Sequence, residues 1–191
     1  ILPVTDDLEV NLAVRYDDYS DFGDNVSPAV KVRWEAMDGL VLRASYSESF
    51  RAPGLDELNA ATTFSAESNT DYRQCAANGI EPADCISQQS DTYYKSNPNL
   101  GPETSDYINI GAAWDITEQF SVKLDYFNLA IDNVIQTKSV NSLLLDEAAG
   151  IITAQLPTAD VSDQTFYILR SQGAAGGNIE EVGTGYFNGV G

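Results

Sequence analysis

The chain has no histidine in 191 residues and only one methionine, two tryptophans and two cysteines. Without histidine, neither a Ser-His-Asp triad nor a Cys-His pair can be assembled from this chain. Two cysteines alone fall short of the four protein ligands of a structural zinc site. Positive charge is also scarce, with 10 Lys and Arg against 29 Asp and Glu and a net charge of −19. A field of that sign repels nucleic acid, whose binding requires a basic footprint. No stretch approaches the ~18 consecutive apolar residues of a membrane-spanning helix. That excludes helical spans only, because transmembrane strands alternate and leave a much weaker hydropathy signal.

The chain is instead rich in the residues of strands and turns. Leu8, Val10, Leu12, Val14 and Tyr16 alternate with Glu9, Asn11, Ala13, Arg15 and Asp17, a period of two that predicts a strand. The pattern resumes at Val30, Val32 and Trp34 after SDFGDNVSP, and again at Leu40, Leu42, Ala44 and Tyr46 after the turn MDG. It returns through Ile108, Ile110, Ala112 and Trp114, passes DITEQ, and continues through Phe120, Val122, Leu124 and Tyr126. Phe127, Leu129 and Ile131 take the opposite phase, which suggests a bulge or the strand's exit from its sheet. The strands are expected near 8–19, 29–36, 40–48, 106–114 and 119–131, with long loops over 50–104 and 132–185. SLLLDEAAGIITAQL has partly helical spacing and predicts a short helix in the last loop. Loops of 50 residues are uncommon in compact soluble domains.

The polar face of these strands carries Lys31, Arg33, Glu35, Lys123 and Asp125, which suits a wetted lumen. On the apolar face, Trp34 and Trp114 stand before short turns, and Tyr16, Tyr46 and Tyr126 stand near long loops. Aromatic girdles around a lipid-facing band have this distribution. Connections that alternate between short and long match the periplasmic turns and extracellular loops of an outer-membrane barrel. The competing reading is a secreted or surface β-sandwich, acidic and disulfide-bearing, that binds carbohydrate or calcium.

Several residues invite chemical readings. Cys75 and Cys85, in CAANGIEPADC, read as a disulfide in an oxidising compartment, with two free thiols as the alternative. Asp17, Asp18, Asp21 and Asp24 could gather around calcium, but they lack EF-hand spacing, and an Asx-rich turn is the favoured reading. No catalytic residues, no resident metal and no other cofactor are expected. In the outward-facing loops, Tyr72, Arg73, Tyr93, Tyr94 and Lys95 are candidates for capturing an anionic or stacking solute, against a purely local packing role.

Two blocks carry a family resemblance. RYDDYSDFGDNVSPAVKVRWEAMDGLVLRASYSESFRAPGLDEL and SNPNLGPETSDYINIGAAWDITEQFSVKLDYFNLAIDNVI resemble consecutive mid-barrel blocks of the TonB-dependent receptors, over roughly residues 10–58 and 93–135. Gly54 after Pro53 departs from the Ser frequent there. The resemblance implies an all-β fold, an antiparallel up-and-down meander that forms part of a transmembrane β-barrel with long extracellular loops. It implies an outer-membrane receptor for scarce solutes such as siderophore-iron, a vitamin or an oligosaccharide. Its partners would be outer-membrane lipid, the extracellular solute and the TonB system acting through a plug. No plug, TonB box or closing strands are recognisable here, and ILPVTDDL has neither an initiator Met nor a basic leader. The expectation is therefore a segment of a longer polypeptide. Structural roles are expected for Trp34 and Trp114, for Pro53 at the strand end, and for Arg51 bracing that corner through Glu48, Asp56 or Glu57.

Overall fold

In a computed structural model, residues 2–20 and 23–189 are described. Along them run β1 (Leu2–Thr5), β2 (Leu8–Tyr19), β3 (Gly23–Met37), β4 (Leu40–Arg51), α1 (Leu55–Asn59), β5 (Thr63–Asn69), α2 (Tyr72–Ala77), β6 (Gln88–Lys95), β7 (Glu103–Thr117), β8 (Phe120–Asp132), β9 (Val134–Thr137), α3 (Val140–Ala148), β10 (Tyr167–Arg170) and β11 (Ile179–Gly189). They fall into two compact units, one over 1–53 and 101–134 with the last residues, the other over 54–100 and 135–188.

The first unit is a six-stranded antiparallel sheet in the order β1-β2-β3-β4-β7-β8. Its five long strands, β2, β3, β4, β7 and β8, have 12 to 15 residues. A tilted transmembrane strand needs only about 9–11. Register places Leu8, Trp34, Leu42, Ala112 and Leu124 in one cross-strand row, and Val10, Val32, Ala44, Ile110 and Tyr126 in the next. This face is apolar and uncovered, with Leu12 63% and Leu124 73% exposed. An exposed apolar surface of this extent marks a face made to meet another apolar phase. The two-residue turn after β3 needs Gly39, whose φ is +76° and whose carbonyl accepts the Asp115 N–H at 2.8 Å. A Cβ there would stand 3.0 Å from the Asp115 carbonyl oxygen.

Three expectations change. β3 begins at Gly23 rather than near 29, and Pro28 sits inside it, opposite Val14. Pro28 lacks an N–H, and the register with β4 starts one residue later, at Ala29↔Ser47. The phase change at Phe127 is not a bulge, since the pairing of β8 with β7 runs unbroken from Ser121 to Asp132. The face that carries Lys123 and Asp125 turns apolar at Phe127, Leu129 and Ile131, while the face of Tyr126 continues with Asn128, Ala130 and Asp132. The short β1 was not signalled by the pattern at all.

The second unit replaces the structureless loops expected over 50–104 and 132–185. Its sheet runs β10-β11-β6-β5, with β6 and β11 parallel, the other neighbours antiparallel, and β9 joined to β11. The helix anticipated in SLLLDEAAG is α3, capped by Ser139, whose Oγ accepts the Ser142 N–H at 3.1 Å. Val140, Leu143, Leu144, Ala154, Ile168 and Val182 make its core. β5 and β6 lack an alternating apolar signature because their buried side is largely polar. Thr92, Ser90, Asn69 and Thr184 point inward and are satisfied there, Asn69 Nδ2 donating to Ser90 Oγ at 2.8 Å and Thr184 Oγ1 to the Lys138 carbonyl.

Candidate functional site

In the first unit, the face opposite the apolar one carries a row of charge: Glu9, Arg33, Arg43, Gly111 and Asp125 lie side by side across five strands. Arg43 reaches over Gly111 to fork onto Asp125, with Nη2 at 2.6 and 2.8 Å and Nε at 3.1 Å from its oxygens. A Cβ on Gly111 would overlap Asp125 Oδ1 and stand 2.7 Å from Arg43 Nε, so the glycine is the slot through which the pair passes. Lys31, Ser45 and Asn109 form part of the adjoining row. Charge on one face and exposed hydrocarbon on the other are what a barrel wall between water and lipid requires.

Trp34 and Trp114 stand on the apolar face near the short turns, 48% and 45% exposed. Toward the other end of the strands, Tyr46 Oη lies 2.7 Å from Glu48 Oε1 and 2.9 Å from Asp106 Oδ1 and can donate to either. There the hydrocarbon gives way to carboxylates. Arg51 forks onto Glu103 across β4 and β7, with Nε–Oε2 2.7 Å and Nη2–Oε1 3.0 Å. Within the sheet Arg51 is thereby tied to the facing residue of the next strand. Pro53 is buried just beyond.

The carboxylates considered for calcium diverge. Asp17 is held by Arg15 at 2.7 Å, while Asp18 and Asp24 face each other on the other side of the hairpin. Asp21 lies outside the described residues. Among the described residues no group of three or more potential metal ligands forms.

The second unit is tied by a buried guanidinium. Arg170 forks onto Asp71 at 2.6 and 2.8 Å, onto Glu147 at 2.8 and 2.6 Å, and donates to the Gly177 carbonyl at 2.9 Å. All five of its N–H groups are thereby used. Burial works against the guanidinium's charge, but the hydrogen bonds it donates to Asp71 and Glu147 outweigh this and hold Arg170 above its usual range. Burial likewise raises Asp71, and the bonds from Arg170 and from the Gln74 N–H more than reverse this, leaving its carboxyl below the usual value. Sequence reasoning missed this cluster, since Asp71, Glu147 and Arg170 are up to 99 positions apart and none stands in a motif.

Of the candidate ligand contacts, Arg73 is engaged by Glu147 at 2.6 Å and the Ala174 carbonyl at 2.5 Å. Lys95 donates to the carbonyls of Val161, Gln164 and Ser162 at 2.8, 2.9 and 3.2 Å and lies 4.9 Å from the Tyr167 ring centroid. Tyr94 Oη bonds Glu67 at 3.3 Å. Tyr93 packs on Phe64 with centroids 5.5 Å apart, and Tyr72 opens α2, half-buried. Register brings Tyr93 and Lys95 onto one sheet face and puts Tyr94 on the other. Cys75 and Cys85 are joined as a disulfide across α2 and the turn that follows it.

A sheet with one lipid-type face, one charged face and a folded insertion between consecutive long strands defines a transmembrane barrel wall. The family model described as TonB dependent receptor-like, beta-barrel matches residues 1–176. The chain belongs to that family, one of outer-membrane transport receptors rather than enzymes. This decides between barrel and sandwich. Heme/hemopexin utilization protein C of Haemophilus influenzae (strain Rd) is 26% identical over 156 residues, 75% of this chain and 19% of that protein. A probable TonB-dependent siderophore receptor, PirA of Acinetobacter baumannii, is 29% identical over 124 residues, 59% of this chain and 15% of that protein. Among solved structures, the ferric enterobactin receptor PfeA of Pseudomonas aeruginosa aligns over 97% of this chain and 20% of its own, with TM-score 0.59 and 18% identity. The Acinetobacter baumannii PirA structure aligns over 98% and 22%, with TM-score 0.59 and 17% identity. These likenesses in structure concern the fold. The chain spans about a fifth of the length of these relatives.

Proposed function

We propose that the chain is the mid-barrel segment of an outer-membrane receptor that actively imports a scarce iron carrier, a siderophore or haem. The observation that carries this reading is the pairing of an uncovered apolar face with a lumen-type row, Glu9, Arg33, Arg43 and Asp125, in a chain of this receptor family. The named relatives are receptors for a siderophore or utilization proteins for haem and hemopexin, which favours iron carriers over vitamins and oligosaccharides. Energy would come from the TonB system through a plug outside these residues. The second unit is built from the two long connections of the chain, the one after β4 and the one after β8. Long loops of such barrels face the cell exterior, so this unit is the outward-facing part that first meets the solute. Tyr72 and Tyr93 remain candidate contacts, whereas Arg73 and Lys95 brace the unit. Deletion of the full-length receptor from its host should abolish growth on at least one ferric siderophore or on haem as sole iron source. Unchanged growth on all of them, with uptake of a vitamin or glycan lost instead, would replace the iron reading.

A further inference from the structure

The second unit has thirteen Asp and Glu but only four Lys and Arg, and all four cations are engaged internally. Arg170 is enclosed by Asp71 and Glu147, Arg73 is drawn onto Glu147, Lys138 pairs with Asp146, and Lys95 is capped by three carbonyls. Many of its acids are exposed, among them Asp56, Glu81, Asp84, Asp91, Asp163 and Glu180. On one sheet face this acidic surface also offers hydrocarbon. Phe64 is 58% exposed against Tyr93, and in the adjoining row Asp91 stands opposite Ala66 and Glu181.

We propose that the iron carrier this receptor takes is neutral or positively charged, with an apolar or ammonium-bearing surface, and that the second unit disfavours polyanionic chelates. The proposal rests on the reading of the chain as an iron-carrier receptor with this unit facing outward. Three hydroxamates, each losing one proton, balance ferric iron and leave a neutral chelate, or a cationic one where an amine is appended. Three catecholates lose two protons each and leave a trianion. A trianion nearing this unit meets excess carboxylate and finds no cation that is not already internally bonded. The repulsion acts within a Debye length of about 8 Å at physiological salt. Fields of this kind alter association rates by roughly 10- to 1000-fold. An ammonium beside Phe64 and Asp91, on the side of Tyr93 away from Lys95, gains both ring and carboxylate attraction.

The test uses the full-length receptor in a host lacking its other ferric-chelate receptors. Uptake of radioactive iron is measured from a trianionic tris-catecholate, a neutral tris-hydroxamate, an amine-bearing cationic tris-hydroxamate and haem. The neutral or cationic chelate should exceed the trianion by at least about tenfold in initial rate at low concentration. Asp91→Asn with Glu180→Gln should narrow that ratio, and Phe64→Ala should lower uptake of the favoured chelate. Uptake confined to the trianion or to haem, or a trianion rate equal to the others, overturns the charge inference while leaving the receptor reading intact. Uptake of none of the four overturns the iron-carrier reading and the inference with it.

Discussion

Replacing Arg170 by Met removes the side chain that bridges Asp71 and Glu147 in the interior of the second unit. Arg170 is 1% exposed at its side chain, and its two partners are 6% and 1% exposed. Glu147 would keep Arg73, which reaches Oε1 at 2.6 Å. Asp71 would lose both hydrogen bonds from the guanidinium and keep the one from the Gln74 N–H. Breaking a buried pair in this way costs about 3–5 kcal/mol, because a charge is left in the interior without compensation. The loss falls on the contacts of α2 and α3 with β10. Hydrogen exchange of the full-length receptor in detergent should therefore speed up across 71–77, 140–148 and 167–170 in Arg170→Met, while β7 and β8 exchange as before. Arg170→Lys should recover only part of the protection, since an ammonium cannot fork onto two carboxylates at once. The triple change Arg170→Met, Asp71→Asn, Glu147→Gln should be milder than Arg170→Met alone, because it leaves no buried charge unpaired. Exchange unchanged in Arg170→Met, or a triple variant worse than the single one, would refute the reasoning.

Other outcomes follow from the same geometry. Gly111→Ala should abolish the coupling between Arg43 and Asp125; in a double-mutant cycle with Arg43→Met and Asp125→Asn, a coupling of about 0.2–1 kcal/mol should fall to zero. Arg51→Met should lower the yield of heat-resistant folded barrel more than it lowers solute affinity, since Arg51 ties β4 to Glu103 on β7; normal folding with lost binding would reverse that assignment. Reducing Cys75–Cys85, a bridge across ten positions, should loosen α2 by about 2–3 kcal/mol, measured as faster exchange over 72–85 with the barrel strands unaffected. Asp71 has a folded pKa below its ordinary value of 3.8, so its contribution is present above that value and is lost as pH falls further, through the folded pKa. Limited proteolysis of the second unit should accordingly show no Asp71-linked loosening between pH 7 and pH 5, with such loosening confined to pH below about 4.

The five long strands of the sheet were legible because they alternate apolar with polar residues and meet water on one side only, so the period of two survives in the sequence. Trp34, Trp114 and Tyr46 could be read as margins of the apolar band for the same reason. β5, β6 and β11 were not legible, because Thr92, Ser90, Asn69 and Thr184 fill the buried side with polar groups that only tertiary hydrogen bonds satisfy. β1 is too short to show a period. The Arg170 cluster was hidden for another reason: charged residues far apart in sequence give no local sign that folding will bring them together. The internal partners of Lys95 and Arg73 were not legible, because the carbonyls and the carboxylate that hold them lie 66 or more positions away in the sequence.

The account turns on β8 being a barrel strand with Val122, Leu124 and Tyr126 in lipid and Lys123 and Asp125 toward the lumen. In the full-length receptor reconstituted into bilayers, single spin labels can be placed from Ser121 to Tyr126 and their collisions with oxygen and with a water-soluble nickel complex compared. Oxygen access should peak at Val122, Leu124 and Tyr126, nickel access at Lys123 and Asp125, with a period of two. Water access at every position, or no alternation between the two reagents, would contradict the claim that this sheet is a membrane wall.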